Sequence, residues 1–126
     1  MEPDYPAVVI DHFELPRNSG HFEAGDNVIK GVAGSMAQGT MFALSARIAS
    51  ERIEAVRFEA YGCPHCIAAG SWLSERLVGL SQAELNAWSW READEALLFP
   101  AEKRGRLLIL EDAVRSLSAA WRTLAA

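Results

Sequence analysis

The chain has 126 residues and a mass of 13.8 kDa, with 50% hydrophobic and 23% charged residues, the profile of one folded soluble domain and not of a disordered tail or a multidomain enzyme. A domain of this size buries roughly two-thirds of its unfolded surface, so it needs neither metal nor disulfide merely to fold. Seventeen Asp and Glu against twelve Lys and Arg give a net charge of −5, the wrong sign for a protein that grips phosphate backbones.

No run approaches the roughly 18 apolar residues of a membrane span. The acidic start, Glu2 and Asp4 and then Asp11, lacks the basic flank of a secretory signal. Neither nucleic acid nor membrane is expected as a partner, and the expected location is the cytoplasm. No repeat, low-complexity run or linker divides the chain, which reads as a single domain over residues 1–126.

From Tyr5 to Leu15, after an Asp4/Pro6 start, Val8, Val9, Phe13 and Leu15 fall near helical spacing, and Pro16, Asn18 and Gly20 make the turn that follows. Val28 to Ser35, interrupted by Gly31 and Gly34, and Thr40 to Ile48, set off by Gly39, read as two strands. Arg52 to Tyr61 alternates more clearly, Val56, Phe58 and Ala60 against Arg57 and Glu59, and predicts a half-buried antiparallel strand.

After Gly62 the period changes to about 3.6, and Ile67, Gly70, Ser71, Leu73, Ser74, Leu77 and Val78 predict a helix ended by Gly79. Ser81 with Glu84, and Ser89 with Glu92, match the capping-box spacing, so two short helices are expected before Pro100. Leu107, Leu110, Val114, Leu117, Trp121 and Leu124 then paint one apolar stripe along a long C-terminal helix. Strands first and helices afterwards predict an α+β sandwich: a small antiparallel sheet of about three strands covered by helices.

Both cysteines lie in Tyr61-Gly62-Cys63-Pro64-His65-Cys66, where a strand gives way to a helix N-terminus. Free backbone amides and the positive end of the helix dipole favour a thiolate there, so Cys63 is expected to ionise easily, with Cys66 one turn further in. Three uses of this pair stay open. Cys63 and Cys66 at i, i+3 bind one soft metal, with His65 as an additional ligand less well placed to join them; the rest of the set then comes from a second chain, a partner, a small thiol, or residues such as His12, His21 and Asp26. Alternatively the pair is a dithiol redox centre, because Cys-Pro-His-Cys at a helix start is an arrangement of strongly oxidising thioredoxin-like proteins. Or the cysteines are small buried side chains with no chemistry.

Elsewhere, His12 and His21 read as solvent-facing or capping residues. Trp121 reads as core, Trp88 and Trp90 as a seam between helices, and the basic run Glu102–Arg106 as a solvated loop. No Ser-His-Asp array, P-loop or paired-carboxylate signature stands out, and a non-enzymatic role is expected.

As a set, these residues resemble the U-type iron–sulfur cluster assembly scaffolds, the IscU and NifU N-terminal-like family. The resemblance runs from Val9-Ile10-Asp11-His12-Phe13 and Pro16-Arg17-Asn18-Ser19-Gly20, through Asn27, Gly31, Gly34 and Gly39, to Tyr61-Gly62-Cys63, the small helix residues Ala68 to Ser71, and Pro100, Lys103 and Glu111-Asp112-Ala113. It implies a scaffold that holds iron or a [2Fe–2S] cluster, with zinc as a competitor, and works with a cysteine desulfurase and cluster-assembly chaperones. Of the family's three cysteine positions only Cys63 is matched. Gln38 stands where the first cysteine is expected, Thr40 where an Asp is, and Gly105-Arg106 where a His-Cys pair is; the chaperone segment reads Phe99-Pro100-Ala101-Glu102-Lys103. A dispersed site has given way to the compact pair Cys63 and Cys66. Two protomers, each contributing both sulfurs, would complete a four-thiolate site as a homodimer; the alternatives are a thiol–disulfide or persulfide relay with Cys63 as nucleophile and Cys66 as resolving thiol, or a cluster-free regulator that keeps the scaffold's docking surface.

Overall fold

The structure is a computed structural model that describes residues 5–125; the Asp4 expected at the first helix start lies outside them. In chain order come α1 (Ala7–Glu14), β1 (Val28–Ser35), β2 (Thr40–Ala49), β3 (Arg52–Tyr61), α2 (Pro64–Arg76), α3 (Gln82–Ala87), α4 (Trp90–Leu97), a short 3-10 turn (Ala101–Lys103) and α5 (Gly105–Ala125). The strands form one antiparallel sheet in the order β1-β2-β3. The α+β sandwich read from the sequence is the observed architecture.

Alternation fixes which face of the sheet is covered. Cross-strand neighbours Gly31, Leu44 and Phe58 share one row, and Ile29, Ala46 and Val56 another; all but Gly31 belong to the buried apolar core. A bulge at Arg47/Ile48 shifts the β2–β3 register, so that Ile53 reaches the core although it lies an odd number of residues from Val56. The longest helix, α5, lies across β1 and β2, while α2 covers β3 and α1 packs on α2.

Gly31 makes the α5 crossing possible. A Cβ there would stand 2.4 Å from the backbone N of Leu117 and 2.7 Å from the carbonyl O of Ala113. The weak strand pattern around this glycine is therefore the mark of a close approach between helix and sheet.

The stripe on α5 holds from Leu107 to Trp121, all buried, but Leu124 is exposed. Leu15 is exposed as well, because α1 ends at Glu14 and Leu15 no longer shares its face. Ser81 and Glu84 form the expected reciprocal capping box. The second capping box does not form: Ser89 Oγ accepts from the Arg91 N–H, and the Glu92 carboxylate pairs with Arg76 on α2 instead. The Asn18–Gly20 turn does more than reverse the chain, since Ser19 bridges to Phe58 and closes the outer edge of β3.

His12 is not solvent-facing. It is buried between α1 and α2, with Nδ1 2.8 Å from Ser71 Oγ. That hydroxyl also accepts from the Arg17 N–H at 2.8 Å, so full satisfaction has Ser71 donating to a neutral His12. Burial first, and then the nearby Arg17 cation, lower the His12 pKa. Trp88 is buried, and the ring it meets, at 6.5 Å between centroids, is that of Trp72 on α2, which the seam expected for Trp88 and Trp90 does not include. Among the described residues no helix is long and apolar enough to cross a membrane.

Candidate functional site

Strand β3 delivers the chain to Gly62, whose φ of +151° is a conformation L side chains rarely adopt. A Cβ at Gly62 would also meet Cys66 Sγ at 2.7 Å, so glycine is needed here on two counts. Cys63 is the N-cap of α2 and Pro64 its first residue. Cys66 then occupies the third helical position, the one an N-cap side chain naturally faces. Both cysteines are free; Cys63 is half-buried and Cys66 wholly buried.

This geometry separates the two sulfurs chemically. Hydrogen bonding with the Cys66 thiol, above all, pulls Cys63 down to about 4; the first-turn amides of Cys66 and His65 and the Lys103 ammonium add to it, against an upward push from burial. The same contact, together with burial, pushes Cys66 well up.

Lys103 enters from the far end of the chain. The 3-10 turn after Pro100 aims its Nζ at the site, 3.9 Å from Cys63 Sγ and 3.4 Å from His65 Nδ1. An ammonium only donates, so His65 Nδ1 accepts and the proton of the neutral ring sits on Nε2. His65 itself is buried, its ring centroid 4.6 Å from that of Tyr5 and 4.8 Å from that of Phe99. Burial, then the Lys103 charge, hold its pKa below the ordinary histidine value. Hydrogen bonding and charge from Cys63 work the other way and raise it. A cleft of about 410 Å³ opens alongside, walled by Tyr5, Leu98, Pro100 and Lys103.

The basic run is thus not simply a solvated loop. Lys103 faces the thiolate, and the Arg106 charge acts on both His65 and Cys66. Arg106 Nε is buried and has no hydrogen-bond partner among the described residues. On the other side, the turn between β1 and β2 carries Gln38, exposed, while Thr40, buried, opens β2; the carbonyl of Gly39 lies 3.4 Å from the place a Gly62 Cβ would take. Gly105 opens α5 with free space around it.

His12, His21 and Asp26 do not complete a ligand set. His12 is committed to Ser71, His21 is exposed between Glu23 and Glu59 at 3.5 Å from each, and Asp26 is exposed. Among the described residues no three His, Cys, Asp or Glu side chains converge to hold a metal ion. One chain brings two sulfurs together here, Cys63 and Cys66, with the cations Lys103 and Arg106 beside them.

A helix-capping thiolate at the end of a three-stranded sheet backed by a long helix directs the comparison with known proteins. The family model described as the NifU-like N terminal domain matches residues 4–122. The chain belongs to the NifU-like N-terminal domain family. Within it, the chain is 36% identical over 121 residues to the iron–sulfur cluster assembly scaffold protein IscU of Escherichia coli K12, with 94% of each chain covered. It is 36% identical over 114 residues to the iron–sulfur cluster assembly protein 2 of Arabidopsis thaliana, covering 89% of this chain and 70% of that one. The crystal structure of the N-terminal part of a nitrogen-fixing NifU-like protein from Brucella abortus shares the fold, with a TM-score of 0.59, 17% identity, and coverage of 95% of this chain and 93% of that one.

Sequence reasoning singled out Cys63 and Cys66, which the structure brings together at the start of α2, but took the cation run for surface. The missing signal was geometric: Pro100 sets the turn that sends Lys103 inward, and nothing local in the sequence tells an inward lysine from a solvated one.

Proposed function

We propose that this chain is an iron–sulfur cluster assembly scaffold, a single working domain in which iron and sulfide are the cargo and Cys63 is the sulfur that first meets iron. The observation that carries this reading is the Cys63 thiolate, held at a helix N-cap with Lys103 Nζ 3.9 Å away. A thiolate is the form that binds iron, and the surrounding positive charge favours an anionic cluster. In this reading the chain holds its cargo and hands it on as a scaffold, the word its relatives' names carry.

Cys66 is the second sulfur of the set, with His65 as an additional ligand once Lys103 moves off Nδ1. A cluster iron is four-coordinate, so two protomers, each giving Cys63 and Cys66, complete the site; zinc competes for the same thiolates. A cysteine desulfurase as sulfur source and chaperones for release are the partners this role calls for, in the cytoplasm. Anaerobic reconstitution with iron and sulfide tests the reading. Thiolate-to-iron absorption bands with bound iron and sulfide, lost in Cys63→Ser, are the expected result; colourless, metal-free wild-type protein would overturn it.

A further inference from the structure

Cys66 presents an observation that ligation alone does not explain. It is wholly buried, its sulfur 2.7 Å from the place a Gly62 Cβ would take, whereas Cys63 beside it is only half-buried. The Cys63 sulfur stands in hydrogen-bond contact with it. N-cap and third helical position are the two places on a helix start whose side chain and backbone meet, and the Cys66 N–H is already bonded to the Cys63 carbonyl at 2.9 Å. The pair is therefore preset for an intramolecular sulfur–sulfur bond. Around it stand two cations, Lys103 Nζ at 3.9 Å from Cys63 Sγ and Arg106 with its buried, unpartnered Nε. This is a setting for a small anion that leaves.

Resting on the scaffold reading, we propose that Cys66 is a resolving thiol: it discharges a sulfur atom carried on Cys63 as hydrosulfide, so that the chain itself makes the sulfide its cluster needs. The sulfur comes from a persulfide donor, R–S–SH. The Cys63 thiolate attacks the outer sulfur, the R–S bond partner leaves as R–S⁻, and Cys63 carries –S–SH. The sulfur of Cys66 then attacks Cys63 Sγ; the bond to the outer sulfur breaks, the sulfur departs between Lys103 and Arg106 as HS⁻, and the proton released by Cys66 ends on it as hydrogen sulfide.

The balance closes as R–SSH plus two cysteine thiols giving R–SH, hydrogen sulfide and one Cys63–Cys66 disulfide. The outer sulfur is reduced by the two electrons that the cysteine pair loses. A dithiol reductant, the class that exchanges with Cys-x-x-Cys disulfides, returns the pair to the form that binds iron. Holding the second thiol beside the first removes the need for a colliding reductant, which gives the step the advantage of an intramolecular reaction.

The experiment treats the reduced full chain anaerobically with one equivalent of glutathione persulfide, then blocks free thiols and reads intact mass and released sulfide. Wild type is expected to release sulfide in step with formation of a Cys63–Cys66 disulfide, seen as the loss of two hydrogens and two blocking sites. Cys66→Ala and Cys66→Ser, checked for folding by circular dichroism, are expected to stop with one extra sulfur on Cys63 and to release sulfide at least about tenfold more slowly. Wild type that keeps the extra sulfur and forms no disulfide overturns the proposal, whether or not the variants fold. A chain that resolves the persulfide but takes up no iron and sulfide on reconstitution overturns the scaffold reading instead and leaves this chemistry standing.

Discussion

Lys103 Nζ lies 3.9 Å from Cys63 Sγ across a sequence separation of 40 residues. The contact joins the start of α2 to the turn before α5, so charge and nucleophile meet only when both segments are in place. A positive charge stabilises thiolate over thiol, and removing it raises the pKa.

The alkylation rate of Cys63 followed against pH measures that shift. In wild type the rate is expected to stay on its thiolate plateau down to mildly acidic pH, because the sulfur titrates at about 4. In Lys103→Gln the midpoint moves up, and in Cys66→Ala it moves up further, since hydrogen bonding with Cys66 is the larger influence and Lys103 the smaller. Equal midpoints in wild type and both variants would remove the electrostatic account of the site.

Much of this arrangement was legible in the sequence. The three strand spans, the change of period after Gly62 and the stripe from Leu107 to Trp121 all follow from spacing, because burial on one face imposes a period the chain cannot hide. What escaped was set by tertiary contact. Ser89 and Glu92 have capping-box spacing, yet Arg76 on a neighbouring helix wins the Glu92 carboxylate. His12 looks like a surface residue on an acidic helix until Ser71, 59 residues on, supplies a buried partner. Lys103 sits in a run of charges with no period at all.

The two serine caps form a comparison within one molecule. Ser81 Oγ accepts from the Glu84 N–H while the Glu84 carboxylate accepts from the Ser81 N–H, whereas Ser89 makes only one such bond, at 3.3 Å to the Arg91 N–H. Ser81→Ala is expected to cost about 1 kcal/mol in denaturant unfolding, and Ser89→Ala about half of that. A larger loss at Ser89 would mean that α4 depends on its cap more than on the bond from the Trp90 N–H to Glu111 on α5.

Stability should also report on His12. Burial lowers its pKa in the folded chain below the unfolded value of about 6.5, so the folded state prefers the neutral ring. That preference stabilises the fold fully above the unfolded pKa and is lost as pH falls through the folded one. Chemical unfolding between pH 7.5 and pH 5, taken as about that window, is expected to show wild type losing stability on the acid side. His12→Gln should be less stable at neutral pH by about 1 kcal/mol, through the lost bond to Ser71, and flatter toward acid. An unchanged slope in the variant would place the acid sensitivity elsewhere.

At Gly31 the obstacle to a side chain is backbone on α5, the N of Leu117 at 2.4 Å and the O of Ala113 at 2.7 Å, and neither can turn aside as a flexible side chain would. Gly31→Ala therefore has to lift α5 from β1, at a cost of about 3 kcal/mol in unfolding free energy. Because Lys103 and Arg106 ride on the start of α5 and the turn before it, the same lift is expected to slow Cys63 alkylation at acidic pH. A variant that is destabilised but keeps the wild-type alkylation profile would show that the 3-10 turn holds Lys103 in place independently of the helix packing.

The donor count sets the last expectation. One chain offers the Cys63 and Cys66 sulfurs, and His65 Nδ1 is engaged by Lys103. Four-coordinate irons in a [2Fe–2S] unit need about four protein ligands, so loading should bring two chains together. Native mass spectrometry of protein reconstituted without small thiols is expected to show metal-free chains as monomers and cluster only in species of two chains. Replacing Cys63 by serine in half of the population should then remove more than half of the cluster, because a mixed pair retains too few accessible sulfurs to close the site. Cluster held by a single chain under those conditions would mean that non-sulfur groups near Cys63, His65 first among them, complete the coordination.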